Sequence, residues 1–209
     1  MKKAIAVIGE GITEKYYIES LKGLSPFDIR PQELGKKASN LQKLEMNIQN
    51  SIKAGYDELY CLIDMDGKRE GINKIDYDTL KKKYHGLNHG NKKQGIQCKV
   101  VFIETERCTE LWFLYHFTKS AITKEFQSYH ELEKELHKYR PQYEKTEKYF
   151  KSVADLHKEF TKKRKPKGSL EKAIDNSKVS IKSKERDNRD YSYSEIHLLF
   201  EALKIESTL

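Results

Sequence analysis

Two short apolar runs, each ending on carboxylates, set the tightest limit on what this chain can fold into. Ala4-Ile5-Ala6-Val7-Ile8 runs into Gly9-Glu10, and Leu59-Tyr60-Cys61-Leu62-Ile63 runs into Asp64-Met65-Asp66. A strand buried on both faces reads as such a continuous run, and residues just past its carboxyl end face the crevice of an open α/β sheet. Residues 96–103, with β-branched Val100 and Val101, read as a further strand. Helical patterns separate these runs, so the expected class is α/β, a mostly parallel sheet flanked by helices.

The helices follow from periodicity and punctuation. Thr13 is placed to cap a helix burying Tyr17, Ile18 and Leu21, with Glu14 in its first turn. Phe27, Ile29 and Pro31 read as a short or edge strand. Leu41, Leu44, Ile48 and Ile52 recur at helical spacing, with Ser39 or Asn40 as cap and Gly55 as stop. Gly67-Lys68-Arg69 reads as a turn, Ile72, Ile75 and Leu80 as a further helix, and 85–91 as a turn-rich, mobile stretch. Residues 104–107 read as a loop before an all-round apolar helix over 108–118, where Trp112 and His116 are expected in the core.

The character changes near Tyr129. Apolar residues from Leu132 to Phe160 are spaced as on amphipathic helices, which Pro141 divides. A helix near 170–174, a polar stretch to Arg189 and a last helix over 194–205 complete the chain. The expected division is a core over 1–128 and a mostly helical, basic extension over 129–209, packed on that core.

Charge bounds the function classes. The chain has 209 residues with 40 Lys plus Arg against 32 Asp plus Glu, net +8, which favours a polyanionic partner such as nucleic acid. Only 37% of residues are hydrophobic, which leaves a modest core. Cys61, Cys98 and Cys108 form no Cys-x-x-Cys pair, so neither a disulfide framework nor a zinc site is expected. Without a membrane-length apolar run or a signal-peptide pattern, a cytoplasmic protein is expected. No Gly-x-x-x-x-Gly-Lys loop is present, so the chain is not itself an ATPase of that type.

The candidate site is a set of oxygen ligands. Asp64 and Asp66 share one face of an extended segment while Met65 points the other way, into the core. With Glu10 they would repel unless a cation or a basic side chain sat between them, and a hard cation such as Mg²⁺ or Mn²⁺ suits such oxygens. The plainer alternative is a helix-entry carboxylate at Glu10 and a solvated turn at Asp66-Gly67. Glu110, near the start of its helix, is either a structural cap or a further metal-site carboxylate. Arg107 is placed to contact a phosphate. Lys162, Lys163, Arg164, Lys165 and Lys167 either bind nucleic acid or form a solvated connector.

The Glu at the end of the first strand and the later Asp-x-Asp resemble the Toprim domain of topoisomerases, primases and several nucleases. Glu10-Gly11, Thr13-Glu14, Tyr17, Asp64, Asp66, Cys108, Glu110-Leu111-Trp112, Leu114 and His116-Phe117, in that order, are similar to the RloB-like family of bacterial defence proteins. Ser192-Tyr193-Ser194 before the final helix resembles that family's ending. Where the family often reads Ser-Asn-Pro-Cys, this chain has Thr105-Glu106-Arg107-Cys108. The resemblance implies a Toprim-like fold and a metal-dependent nuclease in antiphage defence. Glu10, Asp64 and Asp66 would carry out its chemistry, and a separate ATPase subunit, often encoded next door, would be its partner. Two alternatives are a non-catalytic binding subunit that regulates that ATPase and a primase-like nucleotidyl transferase. The oligomeric state is left open.

Overall fold

The computed structural model describes residues 2–34, 41–90, 95, 97–163 and 165–206. The chain divides into two compact units, Met1–Ile103 and Glu104–Leu209. The sequence places the change of character near residue 128. By contact the division falls at 103/104, because the buried helix after Cys108 gathers the later helices around itself.

In the first unit the order is β1 (Ala4–Gly9), α1 (Ile12–Leu21), β2 (Asp28–Glu33), α2 (Leu41–Lys53), β3 (Glu58–Asp64), α3 (Gly71–Tyr84), β4 (Asn88–His89) and β5 (Cys98–Thr105). Among the described residues the five strands form one sheet in the order β2-β1-β3-β5-β4. β1 pairs in parallel with both β2 and β3, and β4 lies antiparallel to β5. The expected mostly parallel α/β sheet is therefore present. Pro31 falls on the edge strand, where a missing N–H leaves no ladder bond unmade.

One face of the sheet buries Ala6, Ile8, Leu59, Cys61, Ile63, Met65, Val100 and Phe102 with Leu44, Ile48, Tyr77, Leu80 and Tyr84 from α2 and α3. Ile48 is fully buried, so truncating it to Ala would cost about 2–5 kcal/mol. The helix expected from Ile72, Ile75 and Leu80 is α3, although Ile72 and Ile75 lie outside its buried face, 73% and 66% exposed. Tyr77, Leu80 and Tyr84, at i, i+3 and i+7, supply that face instead. The cap expected at Ser39 or Asn40 and part of the 85–91 stretch lie outside the described residues. Within that stretch, Asn88–His89 forms a short strand.

The second unit begins inside β5, which continues through Thr105 rather than ending before a loop at Glu104. Thr105 bridges antiparallel to Ser194, and Glu106 N–H donates to the Tyr193 carbonyl. α4 (Glu110–Tyr115) is buried at all six positions, shorter than the expected helix but as apolar in its surroundings. α5 (Tyr129–His137), α6 (Glu147–Val153), α7 (Leu156–Lys158), a π-helical turn (Glu159–Lys163), α8 (Leu170–Asp187) and α9 (Ile196–Ala202) complete the unit. α8 is one helix of 18 residues where the sequence reads as a short helix and a polar stretch. Its buried face is Ala173, Asn176, Ser177, Ser180 and Ser183. These small side chains, spaced three or four apart, let α8 approach α4 closely. Among the described residues no helix is long and apolar enough to cross a membrane.

Candidate metal centre at the strand ends

β1 and β3 are neighbours with Ile8 opposite Cys61. Continuing that parallel register sets Glu10 level with Ile63, one residue from Asp64. Both carboxylates therefore leave the sheet at the same edge, as the two apolar runs require. The sharp entry from β1 into α1 depends on Gly9. A Cβ there would lie 2.2 Å from Glu14 Cβ, so no other residue fits without moving the helix. The helix is capped differently from expectation. Gly11, not Thr13, is the N-cap, and Glu14 reaches back so that Oε2 accepts from the Gly11 N–H at 2.8 Å. Thr13 is wholly buried.

The centre of the site is a side chain that the sequence reads only as part of a turn. Lys68 Nζ lies 2.9 Å from Glu10 Oε1 and 3.1 Å from Oε2, and donates to the Asp64 carbonyl at 2.6 Å. Lys68 and Glu10 side chains are about one-tenth exposed. Burial raises the Glu10 pKa above the usual carboxylate value, even though Lys68 and the Asp64 backbone pull it down; Glu14 adds to the rise. Glu14 Oε1 is buried and accepts no hydrogen bond among the described residues. Asp64 is half-buried, Met65 enters the core as expected, and Asp66 is exposed. Asp66, Gly67, Lys68, Asn73 and Asp76 line a cleft of about 390 Å³.

Among the described residues no three His, Cys, Asp or Glu side chains form a preformed metal-binding group. Mg²⁺ does not require one, since it usually takes one or two carboxylates with several waters and substrate phosphates. The donors at this edge are all oxygens, a cation already stands among them, and one buried carboxylate oxygen lacks a donor. The residues therefore fit a hard divalent cation.

The remaining candidates lie in the second unit. Glu110 is fully buried: Tyr143 O–H donates to Oε1 at 2.8 Å, and Lys145 Nζ lies 3.2 Å from each oxygen. Burial alone would raise its pKa, but Lys145, Cys108 and Tyr143 together lower it. Arg107 donates from Nε to the Phe126 carbonyl at 2.6 Å and adopts φ 34°. Proline, the residue the family often has there, is barred from that conformation by its ring. His116 is a core histidine, donating from Nδ1 to the Trp112 carbonyl at 3.0 Å and edge-on to the Trp112 ring. Its pKa is pushed down to about 3, chiefly by burial.

The basic run is held at its base. Arg140 is buried, and its guanidinium donates to the carbonyls of Tyr139, Glu159 and Pro166. Gly168 N–H donates to the Phe160 carbonyl and Ser169 N–H to that of His116. Lys162, Lys165 and Lys167 are exposed along this pinned segment; Lys163 ends the π-helical turn, and Arg164 lies outside the described residues. The segment therefore lies within the second unit rather than joining two units.

With this geometry in hand, the comparison with known families is specific. The chain matches the model of the RloB-like protein family over residues 5–203, nearly its whole length, and belongs to that family. No curated protein and no solved structure matches the chain.

Proposed function

We propose that the chain is a divalent-metal-dependent nuclease of Toprim type that acts in bacterial antiphage defence, with a separate ATPase subunit as partner. The observation that carries this reading is the convergence of Glu10 and Asp64 at one sheet edge around a buried ammonium, with Asp66 opening onto the adjoining cleft. Glu10, Asp64 and Asp66 would hold Mg²⁺ or Mn²⁺. Bound there, the metal would supply charge stabilisation at the scissile phosphate and a lowered pKa for an attacking water. The raised pKa of Glu10 suits a group that takes and returns a proton. Glu110 serves as an internal anchor for the 143–145 loop. The exposed lysines at 162, 165 and 167 supply sequence-independent phosphate contacts.

A second reading rests on Lys68. A lysine seated on the carboxylate is also what a ligand-sensing subunit without turnover would contain, docked on its ATPase. Purified protein incubated with labelled DNA and tRNA, with and without Mn²⁺, separates the two. The nuclease predicts a metal-dependent product. Binding of nucleic acid with no product, even with the ATPase added, would contradict it.

A further inference from the structure

The proposed centre contains a cation of the chain's own. Lys68 is only two residues beyond Asp66, in a turn closed by its N–H on the Met65 carbonyl at 3.1 Å, with Gly67 at φ 69°. This turn folds the side chain back over the strand end. The ammonium has three protons, and both Glu10 oxygens and the Asp64 carbonyl receive them. None is left for Glu14, whose Oε1 stays buried without a donor among the described residues. The donors of Lys68 thus go to Glu10 and the Asp64 carbonyl, beside a second carboxylate, Glu14.

A permanent structural ion pair would satisfy its surroundings, because an unsatisfied buried carboxylate oxygen costs free energy. Here one buried carboxylate oxygen, Glu14 Oε1, is left without a donor among the described residues. The same Glu10 oxygens that hold Lys68 are those a metal would take. We propose that Lys68 is a positioning residue, an internal surrogate cation. It keeps Glu10 and the β3 end in ligating geometry without metal, and a divalent cation displaces it. The inference rests on the metal-centre reading above and adds competition between lysine and metal for one carboxylate. Loading of the site is then an exchange of cations rather than filling of a void, and the chain avoids bare carboxylate repulsion while unloaded.

The test uses the full chain, Mn²⁺ alone as probe, and the variants Lys68→Met and Lys68→Gln. Calorimetric titration and melting curves are run on each. Removing the competitor should tighten Mn²⁺ binding roughly tenfold in both variants. The metal-free variants should melt lower than wild type, and Mn²⁺ should raise their Tm by more than it raises that of wild type. A merely structural lysine would lower the metal-free Tm and leave or weaken the Mn²⁺ affinity, which would overturn the proposal. If Lys68→Met does not fold, Lys68→Gln, which keeps a donor without the charge, decides alone. Mn²⁺ binding to wild type with no tightening in the variants removes only the competition. Failure of wild type and variants alike to bind Mn²⁺ removes the metal centre itself.

Discussion

Two buried glutamates, each beside a lysine, behave in opposite ways. Glu10 in the first unit faces Lys68, and its pKa is raised because burial outweighs the lysine. Glu110 in the second unit is more deeply buried, yet its pKa is lowered because Lys145, Cys108 and Tyr143 outweigh burial. The difference is in satisfaction, not depth. Glu110 is surrounded by donors that want its charge. Glu10 has another carboxylate near it and must share one ammonium with the Asp64 carbonyl. A charge that the fold stabilises is a structural element, and one that it holds at a cost is available for chemistry.

The sharpest way to break this contrast is to neutralise each carboxylate without changing its shape. Glu10→Gln should lower turnover by roughly 10²–10⁴-fold under single-turnover conditions, if Glu10 transfers a proton. Its binding of nucleic acid should change much less, since the variant keeps the shape of the side chain. Equal turnover in mutant and wild type would remove the catalytic half of the contrast.

Glu110→Gln should do the reverse. It leaves Lys145 and Tyr143 facing a weaker acceptor, and the expected loss is about 2 kcal/mol in denaturant unfolding. The sign with pH follows from the lowered folded value. The Glu110 contribution is present above the unfolded carboxylate pKa and is lost as pH falls through the folded one. A variant as stable as wild type at pH 7 would show that the carboxylate anchors nothing.

Acid should act on the second unit through His116 as well. Its folded pKa is about 3 against an ordinary 6.5, so the unfolded chain binds the proton first. Stability is whole above pH 6.5 and falls between there and about 3, with a slope approaching ~1.4 kcal/mol per pH unit. His116→Gln should flatten that part of the profile. An unchanged slope would mean that the imidazole reaches water.

The smallest effect concerns the basic segment. Replacing Lys162, Lys163, Arg164, Lys165 and Lys167 by Gln should weaken nucleic-acid binding alike for all sequences. Each lost phosphate contact should make the slope of log K against log salt shallower by about 0.9 for duplex or about 0.7 for single strands. Superimposed lines for wild type and mutant, measured by fluorescence anisotropy, would show a solvated connector.

What could be read in the sequence follows the same division. Strand ends were legible because β1 and β3 are continuous apolar runs, and a run that stops at a carboxylate marks its own carboxyl end. The partner of that carboxylate was not legible. Lys68 sits in a Gly-containing turn, and nothing in local spacing says that the turn folds back onto Glu10, 58 residues earlier. α8 was cut short for a different reason. Apolar periodicity cannot reveal a face built from Ala, Asn and Ser, whose burial depends on closeness to α4 rather than on hydrophobicity. On α3 the apolar pattern marks the helix but not its inward side, which Tyr77 and Tyr84 occupy while Ile72 and Ile75 stay exposed. The Glu14 cap was half legible. The carboxylate was expected in the first turn, but its reach back to Gly11 needs the close approach that only Gly9 allows.

The proposed chemistry depends on the strand-end carboxylates forming a divalent-cation site. Calorimetric titration of Mn²⁺ into wild type and into the Asp64→Asn, Asp66→Asn double mutant tests it most directly. Wild type should bind Mn²⁺, and the mutant, with its fold intact, should lose that binding or bind at least about tenfold more weakly. Equal affinity in the two proteins would contradict it.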